Sequence, residues 1–89
     1  MIRVRLVAMG RVQGVSFRAE ALRKARDLGV VGWVRNVEDG TVEAVAEGPE
    51  AAVEEFVSWM RVGPTAARVD EISVTREEPT GEYGRFFRA

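Results

Sequence analysis

From Ile2 to Met9 the chain alternates strictly, with Ile2, Val4, Leu6 and Ala8 on one side and Arg3, Arg5, Val7 and Met9 on the other. This is the period-two pattern of a half-buried strand. A break follows from Gly10 to Gly14. Ala21, Leu22, Ala25 and Leu28 then recur at helical spacing, with Glu20 four residues ahead of Lys24 and Gly29 placed to close the helix. Val30 to Asn36 is rich in β-branched and aromatic residues, Glu38-Asp39-Gly40 reads as a tight turn, and Thr41 to Glu47 alternates again, so these runs predict a hairpin. Gly48-Pro49 opens a second helix, whose stripe of Val53, Phe56, Val57 and Met60 follows the i, i+3, i+4, i+7 rule until Gly63-Pro64. Val69 to Thr75 predicts a fourth strand, Glu77 to Gly84 a polar connector, and Arg85 to Arg88 a short fifth strand at a sheet edge.

The order βαββαβ with a trailing strand predicts an α+β domain, with two helices on one face of an antiparallel sheet in the ferredoxin-like split βαβ arrangement. Right-handed crossovers make the first two strands parallel, with the third between them, so both finish at the same end of the sheet. The segment Gly10–Arg18 and the residue Asn36 both leave the sheet there. Residues eighteen positions apart are therefore expected to converge. With 89 residues and no repeat, linker or low-complexity tract, residues 1–89 are read as one domain.

Composition narrows the chemistry. Thirteen basic residues against fourteen acidic ones leave a formal charge of -1, so no global field gathers nucleic acid or anionic membrane, and any anion site must be local. The chain has no Cys and no His. That removes disulfides, the commonest zinc and iron ligands, phosphohistidine and phosphocysteine intermediates, and every Ser-His or Cys-His nucleophile pair. Arg, Asn, carboxylates, hydroxyls and backbone N–H groups remain. The alternating N-terminus lacks the basic-then-apolar form of a signal peptide, and no apolar segment is long enough to span a bilayer, so a soluble cytoplasmic monomer is expected. Basic residues are twelve Arg to one Lys, and the only side-chain amides are Asn36 and Gln13.

Gly10-Arg11-Val12-Gln13-Gly14-Val15-Ser16-Phe17-Arg18 is a glycine-punctuated loop running into a helix N-terminus, where unpaired N–H groups and the helix dipole favour an anion. Arg18 adds a planar fork that can hold two oxygens of one phosphoryl group, whereas a Lys grips as a point charge. A cation in the first turn opposes the dipole by roughly 0.3–1 kcal/mol, which itself points to an anion nearby. Glycine spacing alone favours an ordinary strand-to-helix turn carrying a surface Arg, and Asn36 alone favours a residue that begins a hairpin turn.

The complete string resembles the signature of the acylphosphatase family over these nine positions. Gly32-Trp33-Val34-Arg35-Asn36, followed by Asp39-Gly40-Thr41-Val42 and Gly48, resembles that family's second signature. The chain departs from the pattern at Ser16, where relatives often carry an aromatic residue or glycine, at Ala8, and in the loosely similar Phe86-Phe87-Arg88-Ala89. The resemblance implies hydrolysis of a small-molecule acyl phosphate, a carboxylic-phosphoric mixed anhydride, to carboxylate and inorganic phosphate, with no metal, cofactor or covalent intermediate. Arg18 matches the phosphate-binding arginine and Asn36 the asparagine that orients the attacking water. The backbone from Val12 to Phe17 would supply N–H donors, and phosphate or sulfate would bind as a product-like ligand. The residues agree, because a phosphoryl transition state mainly needs its equatorial oxygens held and a nucleophile placed in line.

Other residues have plainer readings. Gln13 shapes the loop, Arg11 and Arg35 are solvated charges that assist anion capture, and Trp33 and Phe17 are packing groups. Glu38 and Asp39 belong to the turn, Glu54-Glu55 and Glu77-Glu78 to the charged surface. The same fold also serves RNA recognition, but the third strand carries no aromatic residue on which bases could stack. A phosphate- or carbamoyl-phosphate-binding module without turnover is the closer alternative, and turnover of an acyl phosphate separates the two.

Overall fold

In the computed structural model, which describes residues 1–89, the chain runs β1 (Ile2–Arg11), α1 (Phe17–Leu28), β2 (Val31–Asn36), β3 (Val42–Gly48), α2 (Glu50–Val62), β4 (Arg68–Glu77) and β5 (Phe86–Arg88). The strands form one sheet in the order β4-β1-β3-β2-β5. Strand β3 lies between β1 and β2 and is antiparallel to both, so β1 and β2 run in parallel as their crossovers require. The helices cover one face. The even positions of β1 supply Val4, Leu6 and Ala8 to the core beneath them, α1 supplies Phe17, Ala21 and Ala25, and α2 supplies Val53, Phe56 and Met60. Each large apolar side chain buried in this way contributes about 1.5–3 kcal/mol.

Three expectations need correction. The first strand does not end at Met9. It continues through a bulge between Met9 and Gly10, and Gly10 and Arg11 pair with Val69 and Arg68 of a fourth strand that is itself longer than Val69–Thr75. The sheet is mixed and not wholly antiparallel, because β5 pairs in parallel with β2 through Gly32, Trp33 and Val34. The chain leaves β4 at one edge of the sheet and reaches the opposite edge across the face without helices. Its path is fixed on the way: Thr80 N and Gly81 N donate to the buried Glu47 carboxylate at 3.1 and 2.8 Å, and Trp33 Nε1 donates to Tyr83 Oη at 2.9 Å. Phe86 then inserts into the core against Phe56, with ring centroids 5.4 Å apart.

The third correction concerns Glu77, which is not simply a surface charge. Arg3 Nε lies 3.0 Å from Glu77 Oε1, Arg5 Nε 2.8 Å from Glu77 Oε2, and Arg5 Nη1 2.6 Å from Glu43 Oε2. Arg35 completes the row, with Nη2 2.6 Å from Glu43 Oε1. Arg5 is the chief group holding Glu77 below the usual carboxylate range. Burial pushes Glu43 upward, but the hydrogen bonds from Arg35 and Arg5 outweigh it and the net shift is down. Arg35 is thus paired with Glu43 while about half of its side chain stays in solvent.

Candidate active site

Two strand ends and one helix start set the geometry. Val42 of β3 is the register partner of Ala8 on one side and Asn36 on the other, so the end of β2 stands level with β1 just before its bulge. At Gly10 the backbone has φ +129°, and a Cβ there would lie 2.3 Å from the Arg68 carbonyl oxygen, so only glycine permits the bulge to close against β4. The chain then turns away toward α1. Gly14 and Ser16 both take left-handed backbone, with φ 73° and 64°, and Ser16 is the only non-glycine residue with positive φ. Strain of this kind collects at functional loops. Alternation of right- and left-handed residues turns successive N–H groups toward a common concavity.

Those N–H groups are free to bind. Ser16 caps α1 without a side-chain hydrogen bond. The first backbone bond of the helix runs from Glu20 N to the Ser16 carbonyl at 3.1 Å, and no backbone donor between Gln13 and Ala19 pairs with another backbone group. Gln13 ties the loop to the hairpin, its Nε2 donating to the carbonyl oxygens of Val37 at 2.7 Å and Thr41 at 2.9 Å. Asp39 fixes the turn itself by accepting from Thr41 N at 3.0 Å and Thr41 Oγ1 at 2.7 Å, and these bonds hold its carboxyl below the usual range.

The result is a cavity of about 120 Å³ lined by Val12, Gly14, Ser16, Phe17, Arg18, Ala19, Asn36 and Arg88. Its lining holds two arginines and no carboxylate, so it is electropositive. Arg18 Nη1 donates to the main-chain oxygen of Ala89 at 3.1 Å, which places the guanidinium between the loop and the segment that follows β5. Arg18 and Asn36 are brought together as expected. Of the remaining residues proposed for the loop, Val12, Gly14, Ser16 and Phe17 line the cavity; Gly10, Arg11, Gln13 and Val15 do not. Gly10 and Arg11 sit in β1, and Gln13 acts on the hairpin. Ala19 and Arg88 also line the cavity, although no sequence motif singles them out. Ala19 follows from the helical turn that carries Arg18, but the place of Arg88 depends on the parallel register of Val34 with Arg88 in β5.

The sequence matches the model of the acylphosphatase family over residues 4–88. The chain belongs to the acylphosphatase family. Among its relatives, an acylphosphatase of Roseiflexus sp. (strain RS-1) is 56% identical over 86 residues, covering 97% of this chain and 92% of the relative. An acylphosphatase of Anaeromyxobacter dehalogenans (strain 2CP-C) is 53% identical over 85 residues, covering 96% and 91%. The crystal structure of acylphosphatase from Bacillus subtilis superimposes with a TM-score of 0.96 at 39% identity, covering 100% of this chain and 99% of that one. The arginine-lined cavity at the start of α1 is thus the candidate active site of an acylphosphatase-family fold.

Proposed function

We propose that the chain carries out its family's reaction, hydrolysis of an acyl phosphate to carboxylate and inorganic phosphate, in the cavity between Arg18 and Asn36. The observation that carries this reading is the convergence of these two side chains, eighteen positions apart in sequence, on one 120 Å³ cavity at a helix start whose N–H groups are unpaired. The loop amides of Val12, Gly14, Ser16 and Phe17 and the Arg18 fork hold the equatorial oxygens of the phosphoryl group, where negative charge concentrates as the P–O bond to the acyl group lengthens. Asn36 has both a carbonyl acceptor and an NH₂ donor, so it can fix a water by one proton while leaving a lone pair aimed at phosphorus. Water attacks in line, the bond from phosphorus to the acyl oxygen breaks, and the carboxylate departs with that electron pair. One water proton passes to a phosphoryl oxygen, giving carboxylate and dihydrogen phosphate with charge conserved. A carboxylate is a good leaving group, so this route needs no acid or base from the protein.

Phosphate release from benzoyl phosphate tests the assignment. Arg18→Ala is expected to lose about 2–4 kcal/mol of transition-state stabilisation, as for removal of one preorganised donor, and Arg18→Lys to recover little of it. Asn36→Ala is expected to lower kcat with inhibition by phosphate nearly unchanged, because it acts on water and not on the phosphoryl group. Near-normal turnover in Arg18→Ala, or a parallel loss of phosphate affinity in Asn36→Ala, refutes the respective role. The same reading includes a cytoplasmic location and a monomer, and the monomer is supported by a core that leaves few large apolar side chains exposed (Met1, Val62 and Val74). Light scattering at assay concentration checks the monomer.

A further inference from the structure

Ser16 stands between two cavities. On one side is the small pocket of Arg18 and Asn36; on the other is a groove of about 510 Å³ whose walls include Val15, Ser16, Glu20, Trp59, Pro64 and Thr65. Resting on the phosphoryl site proposed above, we infer that this groove receives the acyl substituent of the substrate, and that Glu20 on its wall selects against acyl groups carrying a second negative charge.

Size sets the first constraint. The pocket of about 120 Å³ accommodates a phosphoryl group and little more, so the organic half of the substrate must extend out of it. Of the other three hollows on the molecule, only this groove shares a lining residue with the pocket. Its volume falls within the range usual for small-molecule sites. A second link runs through the core: Trp59 meets the edge of Phe17 with centroids 5.5 Å apart and lies near-parallel to Phe56, and Phe17 lines the phosphoryl pocket. The indole is therefore held on one side by packing and serves as a fixed wall on the other. An aromatic acyl group gains a flat partner there at little entropic cost.

Glu20 supplies the charge selection. It lies two residues after Arg18, and its only ionic partner is Arg23, at 3.5 Å across an exposed i,i+3 pair. Such pairs neutralise little. A carboxylate arriving on the acyl group would face Glu20 and be repelled, whereas a neutral acyl group would not. At about 6 Å and a near-aqueous dielectric, that repulsion amounts to about threefold to tenfold in kcat/KM, and it weakens with added salt.

The test compares acetyl, benzoyl and succinyl phosphates on wild type, Thr65→Trp and Glu20→Gln, both substitutions being at positions outside the core. Thr65→Trp fills the groove and is expected to lower the benzoyl-to-acetyl ratio of kcat/KM about tenfold or more, the order of effect that one methylene's worth of pocket space produces. Glu20→Gln is expected to raise the succinyl-to-benzoyl ratio about threefold to tenfold at low ionic strength, with the gain shrinking in 0.5 M salt. An active enzyme whose ratios do not move in either variant overturns the groove assignment. A wild type that releases phosphate from none of the three substrates overturns the phosphoryl-site reading, and this inference with it.

Discussion

Gln13, in the loop that leads to Arg18, donates a 2.7 Å hydrogen bond from Nε2 to the carbonyl oxygen of Val37, the residue immediately after Asn36. The same nitrogen reaches the Thr41 carbonyl at 2.9 Å, across the turn. One amide thus spans the two segments that must keep register for Arg18 and Asn36 to share a substrate. Gln13→Ala is expected to cost about 1–2 kcal/mol of stability, from two unmade bonds, and to lower kcat more than KM rises. Gln13→Glu should be worse on both counts, since it sets a carboxylate against two carbonyl oxygens. Urea midpoints and steady-state kinetics decide it; unchanged kcat in Gln13→Ala would leave Gln13 with a purely structural part.

Arg88 is exposed and lines the cavity beside Arg18, but the two arginines differ in what holds them. Arg18 starts a helix and is braced by the main-chain oxygen of Ala89, whereas Arg88 projects from a three-residue edge strand. Its contribution is accordingly a long-range attraction for a phosphoryl dianion and not a fixed fork. Arg88→Ala is expected to raise KM and the phosphate inhibition constant by about threefold to tenfold, equivalent to about 1 kcal/mol of Coulomb energy near water, with a smaller change in kcat. Arg88→Lys should restore both, in contrast to Arg18→Lys. An equal drop in kcat for Arg88→Ala would place it on the reacting group instead.

The convergence of Arg18 and Asn36 is legible in the sequence, because it needs only the handedness of the crossovers and two local signatures. Hydrophobic spacing likewise located both helices and the central strands, since Leu6, Ala8, Phe56 and Met60 are fully buried where the periods put them. What escaped depends on contacts far apart in sequence. Arg3 and Glu77 are register partners 74 positions apart, and nothing local marks Glu77 as paired while Glu78 beside it is exposed. Arg88 enters the site only because Glu47 captures the connector and Phe86 plugs the core, which together set the direction of β5. The bulge at Gly10 was hidden for a related reason: a glycine after an alternating run reads as the end of a strand, unless the partner that continues the ladder is known.

That bulge yields a paired prediction on backbone shape. Gly10→Ala would set a methyl 2.3 Å from the Arg68 carbonyl oxygen and 2.8 Å from Asp70 N, at φ +129°. Backbone atoms of a ladder cannot move aside, so a loss of at least about 2 kcal/mol is expected, with activity falling as the loop shifts. Gly14→Ala meets nothing within 4 Å and carries only the left-handed penalty, about 1–2 kcal/mol, at φ 73°. Denaturation midpoints should therefore rank wild type above Gly14→Ala above Gly10→Ala, and the reverse order of the two variants would contradict the bulge geometry.

Acid should unfold this protein through the charged row on the open sheet face. Arg5 lowers Glu77, Arg35 and Arg5 lower Glu43 against the opposing effect of burial, and Arg3 lowers Glu82. A carboxylate whose folded pKa is depressed binds fewer protons in the folded state than in the unfolded one. The stability it contributes is complete above the unfolded value, about 4.3 for Glu, and is lost as pH falls through the folded value. Urea midpoints should accordingly be flat with respect to these groups from about pH 6 to 7 and decline below about pH 4.5. Arg5→Leu removes the shared partner of Glu77 and Glu43, so it should be less stable than wild type at pH 7 and show a shallower decline toward pH 3. If the variant and wild type lose stability in parallel between pH 5 and pH 3, the acid sensitivity resides in carboxylates other than those that Arg5 joins.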